Sequence, residues 1–175
     1  TSIVAVAVVW KFILQDSGLM NTVLSWVGID GPDWLNDPFW AMPSIIAMGA
    51  WRNMGTLMII FLAGLQAIPR DVYEAAEVDG ASAWRRFTSM TLPLMRPTLL
   101  LGAVLLSVGF LQVFEEPFVM TQGGPLNSTL TISYYVYNQF GYGDYSLASA
   151  AAYVLFAFIA ALSAVQFRLL RSKDN

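Results

Sequence analysis

The stretch EAAEVDGASAWRRFTSMTLP, residues 74–93, is a charged, turn-containing segment set between two long apolar runs. Before it, PSIIAMGAWRNMGTLMIIFLAGLQAI (43–68) reads as a spanning helix, since about 20 apolar residues cross a bilayer. After it, PTLLLGAVLLSVGFLQVFEEPF (97–118) reads as another. Both runs open on proline, which suits a first helical turn because its missing N–H has no intrahelical partner there. Between them, Asp71 is placed to cap a short helix, with Glu74 reaching back in capping-box fashion. Gly80 is a natural terminator. Ser82 is placed to cap a second helix over AWRRFTSM, and Pro93 is expected to force an exit. The segment is too polar for the bilayer and too structured for a plain linker.

The rest of the chain has the same character. Of 175 residues 57% are hydrophobic and 12% charged, about half the roughly 25% usual in soluble domains. Two more apolar segments lie at residues 1–14 and about 147–170. The first is too short to cross alone and is expected to be the tail of a truncated span, the chain being read as a fragment. The fourth is alanine-rich, which allows close helix approach. The expected fold is all-α: one transmembrane helical bundle over 1–175, with about four spans and a two-helix loop at 69–96.

Basic residues set the orientation. Residues 15–42 carry no Lys or Arg but four aspartates (Asp16, Asp30, Asp33, Asp37), and residues 119–146 carry no Lys or Arg. The 69–96 segment carries Arg70, Arg85, Arg86 and Arg96, and the C-terminal tail Arg168, Arg171 and Lys173. Loop 69–96 and the C-terminus are therefore expected in the cytoplasm. The tryptophan-rich stretch 18–40 is amphipathic and is expected to lie partly in the membrane interface.

Some chemistry is excluded. There is no cysteine and no histidine, so disulfides, thiolate metal sites and His-based catalysis are ruled out. A net charge of −3 without a basic patch gives nucleic acid no footing. No phosphate-binding glycine loop is present, and no catalytic or metal residue is assigned.

A short helix is marginal alone in water, so the loop needs a partner surface. Val72, Ala75 and Ala76 form a small apolar face, with Glu74, Glu77 and Asp79 around it, suited to a groove on another protein. The spacing Glu74-Ala75-Ala76, three residues, Gly80, nine residues, Met90, one residue, Leu92-Pro93 resembles the EAA loop of importer permeases in the ATP-binding-cassette superfamily. Met90 departs from the isoleucine usual there. FLAGLQAIPRDVYEAAEVDGAS (61–82), TLPLMRPTLL (91–100), FLQVFEEPFVMTQGGP (110–125) and QFRLLR (166–171) are similar to the carbohydrate-uptake branch, of the maltose and glycerol-3-phosphate type.

That resemblance implies a six-helix core, with about two helices preceding Thr1. It implies that Glu74, Ala75, Ala76, Asp79, Gly80, Leu92 and Pro93 belong to a coupling loop docked on a cytoplasmic ATPase dimer, Glu74 meeting a basic residue there. It further implies a second, homologous permease subunit, an extracytoplasmic solute-binding protein, and a bacterial-type cytoplasmic membrane. No cofactor belongs to the chain itself; ATP and magnesium would be held by the ATPase.

Other residues keep two readings each. Arg52 lies nine residues past Pro43, about 14 Å along at ~1.5 Å per residue. An arginine at mid-membrane costs about 2.5–3.5 kcal/mol on insertion scales. With Asn53 it either lines a translocation path or forms a structural ion pair or snorkels. Gln112, Glu115 and Glu116 sit late in the third span; Glu115 or Glu116 is the candidate counter-ion for Arg52, or the two mark the water boundary. MTQGGPLNST (120–129) is a turn that either lies by the binding protein or simply re-enters the membrane. Tyr134, Tyr135, Tyr137, Tyr142 and Tyr145 either stack on sugar or form an interfacial belt. Two rival functions are a proton-coupled secondary transporter and a membrane scaffold holding a cytoplasmic partner.

Overall fold

The computed structural model describes residues 2–171, with side chains through Arg168. The tail cations Arg171 and Lys173 thus lie outside the residues whose side chains are described. In order, the elements are α1 (Ile3–Leu14), α2 (Leu19–Trp26), α3 (Ala41–Gln66), α4 (Arg70–Val78), α5 (Ala83–Arg86), a π-helical turn (Phe87–Thr91), α6 (Leu92–Leu94), α7 (Arg96–Leu111), α8 (Glu115–Met120), α9 (Ile132–Gly141) and α10 (Tyr145–Arg171). No strand occurs among the described residues.

Three stretches are long and apolar enough to cross a membrane: Ile3–Trp26, Ala41–Gln66 and Tyr145–Arg168. A fourth candidate is the pair Ala83–Leu94 and Arg96–Leu111, bent by 62°. Most of the apolar surface of α3 and α10 points outward, as lipid-facing or partner-facing helices require. The sequence puts a single helix over 97–118, but α7 stops at Leu111 and α8 starts afresh at Glu115. The new start is favoured by Glu115 and Glu116 in its first turn, at the positive end of the helix dipole, and by Pro117 just inside it.

The chain divides into two compact units, residues up to Arg52 with Gly109–Ile159, and Asn53–Val108 with residues from Ala160 on. In the first unit α1 packs on α8 and α2, around a core of Ala7, Leu14, Leu35, Ile45, Met48 and Met120. The polar stem of the loop after α2 is tied inward: the Trp34 indole N–H donates to Asn21 Oδ1 at 2.7 Å, and Ser44 Oγ donates to the Trp34 carbonyl at 3.0 Å. In the same loop, slight burial pushes the Asp33 carboxyl up, but hydrogen bonds from the Asn36 backbone and side chain outweigh it, and its pKa is held below the ordinary value.

The turn expected at 120–129 is present and tightly tied. Thr129, fully buried, donates to the Gly124 carbonyl at 2.9 Å and meets Thr121 Oγ1 at 2.7 Å. Thr131 caps α9 and donates to the Val113 carbonyl at 2.7 Å. Of the five tyrosines, Tyr134 and Tyr137 join Phe114 and Phe118 in an aromatic cluster with ring centroids 5.1–6.3 Å apart. Tyr142 and Tyr145 stay exposed.

In the second unit Gly64 of α3 and Gly102 of α7 each leave room for a side chain of the other helix. A Cβ at Gly64 would come within 2.6 Å of Thr98 Oγ1, and one at Gly102 within 2.8 Å of the Phe61 ring. Farther along, Gln166 Nε2 donates to Ser107 Oγ at 2.9 Å, and Ser107 donates to the Ala103 carbonyl at 2.7 Å.

Candidate functional site

The polar interruption is an elbow. Its first limb, α4, ends as the sequence indicates. The Gly80 N–H donates to the Glu77 carbonyl at 3.0 Å and the Ala81 N–H to the Ala76 carbonyl at 2.9 Å. This pair of bonds is a Schellman motif, and it needs the left-handed φ of +70° that Gly80 adopts. Ser82 then caps the second limb, its hydroxyl accepting from the Arg85 N–H at 3.3 Å.

The start of α4 corrects the sequence reading. Asp71 is not the cap: Pro69 is, with φ −59° and ψ 139°, and no side chain bonds there, Glu74 included. Pro69 supplies the extended conformation a cap requires, so Asp71 is already helical and helps only as an acid in the first turn. Pro93 does not force an exit either. The second limb runs on through Leu94, and the bend comes at Met95. The π-turn explains this. Pro93 has no N–H and crowds the carbonyl four residues back. Widening the turn before it, with the Leu92 N–H reaching five residues back to Phe87, accommodates the ring.

The exposed side of α4 carries Glu74, Ala75, Val78 and Asp79. Ala76 is not on it. With 1% exposure it faces into the elbow, on the same helix face as Tyr73 three residues earlier, so Ala76 packs rather than presents. Leu92 and Pro93 are exposed on the second limb. Two contacts that the sequence does not announce close the elbow. The Tyr73 and Thr91 hydroxyls share a hydrogen bond of 2.9 Å. Glu77 and Arg86 pair at 3.6 Å. In the second pair Glu77 is largely exposed and Arg86 partly so, and pairs open to solvent contribute about 0–1 kcal/mol.

In the first unit, Arg52 Nη2 lies 3.2 Å from Glu116 Oε1. Of the two candidate counter-ions it is Glu116, buried, that takes the role, while Glu115 stays partly exposed. The fresh start of α8 aims the carboxylate, since it fixes Glu116 in a first helical turn. Arg52 Nε is buried without a partner among the described residues. Asn53 is half-buried. Gln112 lies in the break after α7 and borders a separate cavity of about 260 Å³ with Ser133, Val136, Leu155 and Phe156.

The model of one family, described as binding-protein-dependent transport system inner membrane component, matches residues 1–173. The chain belongs to that family. The resemblance drawn from the EAA spacing is thereby met, and so are the all-helical permease fold and a multi-pass location in the inner membrane. This is a family of transport components, not of enzymes.

Among relatives of this inner membrane component, the lactose transport system permease protein of Rhizobium radiobacter is 40% identical over 99% of the chain and 60% of its own length. The sulfoquinovosyl glycerol transport system permease protein of Agrobacterium fabrum is 40% identical, over 93% and 53%. The trehalose/maltose transport system permease protein of Thermococcus litoralis is 37% identical, over 95% and 57%. A crystal structure of a bacterial ABC transporter importing the acidic polysaccharide alginate superposes with a TM-score of 0.86, at 31% identity, over 99% of this chain and 62% of that one. The chain thus spans somewhat over half the length of these relatives.

Proposed function

We propose that this chain acts, as a single permease domain, in the transmembrane subunit of an ATP-driven importer, moving a sugar or a polyol phosphate inward by alternating access. The observation that carries this reading is the elbow. Its first limb ends at a glycine in the left-handed region, presents Glu74, Ala75, Val78 and Asp79 outward, and runs on through the second limb directly to a long apolar helix. A short helix built to be held by another protein, and continuous in the chain with a candidate span, suits the transmission of motion from a cytoplasmic motor. The arginines of residues 69–96 favour the cytoplasmic side.

The partners follow from the same reading: a cytoplasmic ATPase dimer holding ATP and magnesium, a second homologous permease subunit, and a solute-binding protein outside. Hydrolysis belongs to the ATPase. Within this chain, Glu74 makes a charge-assisted contact to a basic residue of the ATPase. Gly80 shapes the turn, and Arg52, neutralised by Glu116, stands with Asn53, Gln112 and Glu115 along the translocation path. The names of the relatives, which concern lactose, trehalose/maltose and a sulfosugar glycoside, favour a carbohydrate cargo.

The test is reconstitution of the full-length permease with its partners in vesicles, following uptake of a radiolabelled sugar panel. ATP-dependent, binding-protein-dependent uptake is expected. Uptake driven by a pH gradient without ATP would point to a secondary transporter, and no uptake of any cargo to a scaffold.

A further inference from the structure

Two routes join α4 to the helix that leads into α7. The covalent route runs through Asp79–Ser82, four residues around a left-handed glycine with open space about it. The shorter route is through space, from Tyr73 in the middle of α4 to Thr91 at the end of the π-turn. Thr91 is buried, and its hydroxyl also lies 3.5 Å from the Arg86 carbonyl. If Thr91 donates there, Tyr73 is left as donor to Thr91. The contact is part-buried on the inner side of the elbow, where a hydrogen bond is stronger than at the open surface. Ala76 fills the space one turn along the same face of α4. In the outer pair, Glu77 with Arg86, the carboxylate partner is largely exposed, so water competes for it.

Position adds to this. Thr91 is the last residue of the π-turn, four residues before the bend at Met95, and the Met95 N–H donates to the Thr91 carbonyl at 2.8 Å. A displacement of α4 thus reaches the bend through one side-chain bond and one backbone bond. Helical turns of π type frequently occur at functional positions.

We infer that Tyr73 is a positioning residue for coupling: its hydroxyl, bonded to Thr91, makes the two limbs of the elbow move as one body, so that motion of α4 is delivered to α7. This rests on the importer reading above. Without the bond, α4 rocks about Gly80 and part of each ATPase stroke is lost as slack.

The experiment uses the full-length permease assembled with its partner subunits in vesicles, measuring uptake and ATP hydrolysis in the same preparation. Tyr73→Phe keeps the ring and removes only the hydroxyl. Thr91→Val removes the other hydroxyl at nearly constant shape, and Thr91→Ser restores it. Each of the first two is expected to lower uptake per ATP by about two- to tenfold, the range of a single neutral hydrogen bond. The KM for ATP should hold, the double variant should be no worse than the worse single, and Thr91→Ser should stay near wild type. Unchanged uptake per ATP in Tyr73→Phe, or multiplicative losses in the double variant, overturns the inference while leaving the importer reading intact. A wild-type assembly without ATP-driven uptake overturns both. Copurification of the ATPase with each variant separates lost coupling from lost assembly.

Discussion

Arg52 on α3 and Glu116 on α8 form an ion pair of 3.2 Å in which the glutamate side chain is 4% exposed and the arginine side chain 28%. The asymmetry means that the glutamate depends on the arginine more than the reverse. The glutamate side chain has almost no open surface, whereas the arginine side chain keeps part of its own.

Arg52→Gln therefore leaves a buried charge uncompensated and is expected to be the more damaging single change. Breaking such a pair costs about 3–5 kcal/mol. Glu116→Gln leaves unpaired the less buried of the two side chains and should fall at or below the lower end of that range. Thermal unfolding of the purified permease assembly reads the difference. The exchanged pair, Arg52→Glu with Glu116→Arg, should recover more uptake than either single reversal; a double variant no better than the singles would refute a direct pairing.

At Gly80 the constraint is conformational, since a Cβ there meets nothing within 4 Å. A non-glycine residue in the left-handed region costs roughly 1–2 kcal/mol, least for asparagine. Gly80→Asn should stay near wild type in uptake per ATP. Gly80→Asp adds a negative charge at the negative end of α4, beside Asp79, for about 0.3–1 kcal/mol more. It should remain in the membrane yet hydrolyse ATP with little uptake. Parallel uptake and hydrolysis assays compare the two; normal uptake by Gly80→Asp would count against the coupling role.

Gly64 and Gly55 lie on the same helix in opposite circumstances. Gly64→Leu drives a side chain into Thr98, and overpacking of this kind costs about 1–3 kcal/mol. Gly55→Ala meets nothing within 4 Å and removes a helix-interior glycine, a gain of roughly 0.5–1 kcal/mol. Melting temperatures in detergent should move in opposite directions.

Gln166 Oε1 is buried without a partner among the described residues, while its Nε2 bonds Ser107. Ser107→Ala strands the whole amide and should cost about 1–3 kcal/mol. Gln166→Leu removes the orphaned carbonyl and leaves Ser107 on Ala103, so it should be neutral or stabilising. Equal destabilisation by both would contradict the geometry.

Much of this was legible in the chain because it follows from costs. Hydropathy with Pro43 located α3 within two residues, Gly80 located the end of α4, and the expense of a charge in the bilayer pointed from Arg52 to Glu115 or Glu116. The errors were local. Asp71 has the side chain of a cap, but the extended backbone that Pro69 imposes puts the cap two residues earlier. The break after Leu111 was hidden inside LQVF, which has no helix breaker, although Glu-Glu-Pro just beyond carries the marks of a helix start. Tyr73 and Thr91 are 18 positions apart and of ordinary polarity, so no local pattern pairs them. Only the fold back at Gly80 does. Ala76 shows the same limit: its small size fits a docking face and an inner face equally well, and the fold turns it inward.

The π-turn at Phe87–Thr91 also acts as a phase shift. It holds one residue more than the α-turn it replaces, so every side chain after it is rotated by about 100° from where an unbroken helix would carry it. Deleting any one of those five residues would not shorten a loop. It would re-index Leu92, Leu94 and Met95 around the helix, turning the buried Met95 outward at the bend and the exposed leucines away from their present side. A relative with one residue fewer here keeps the same faces only if its apolar pattern has moved by one position as well.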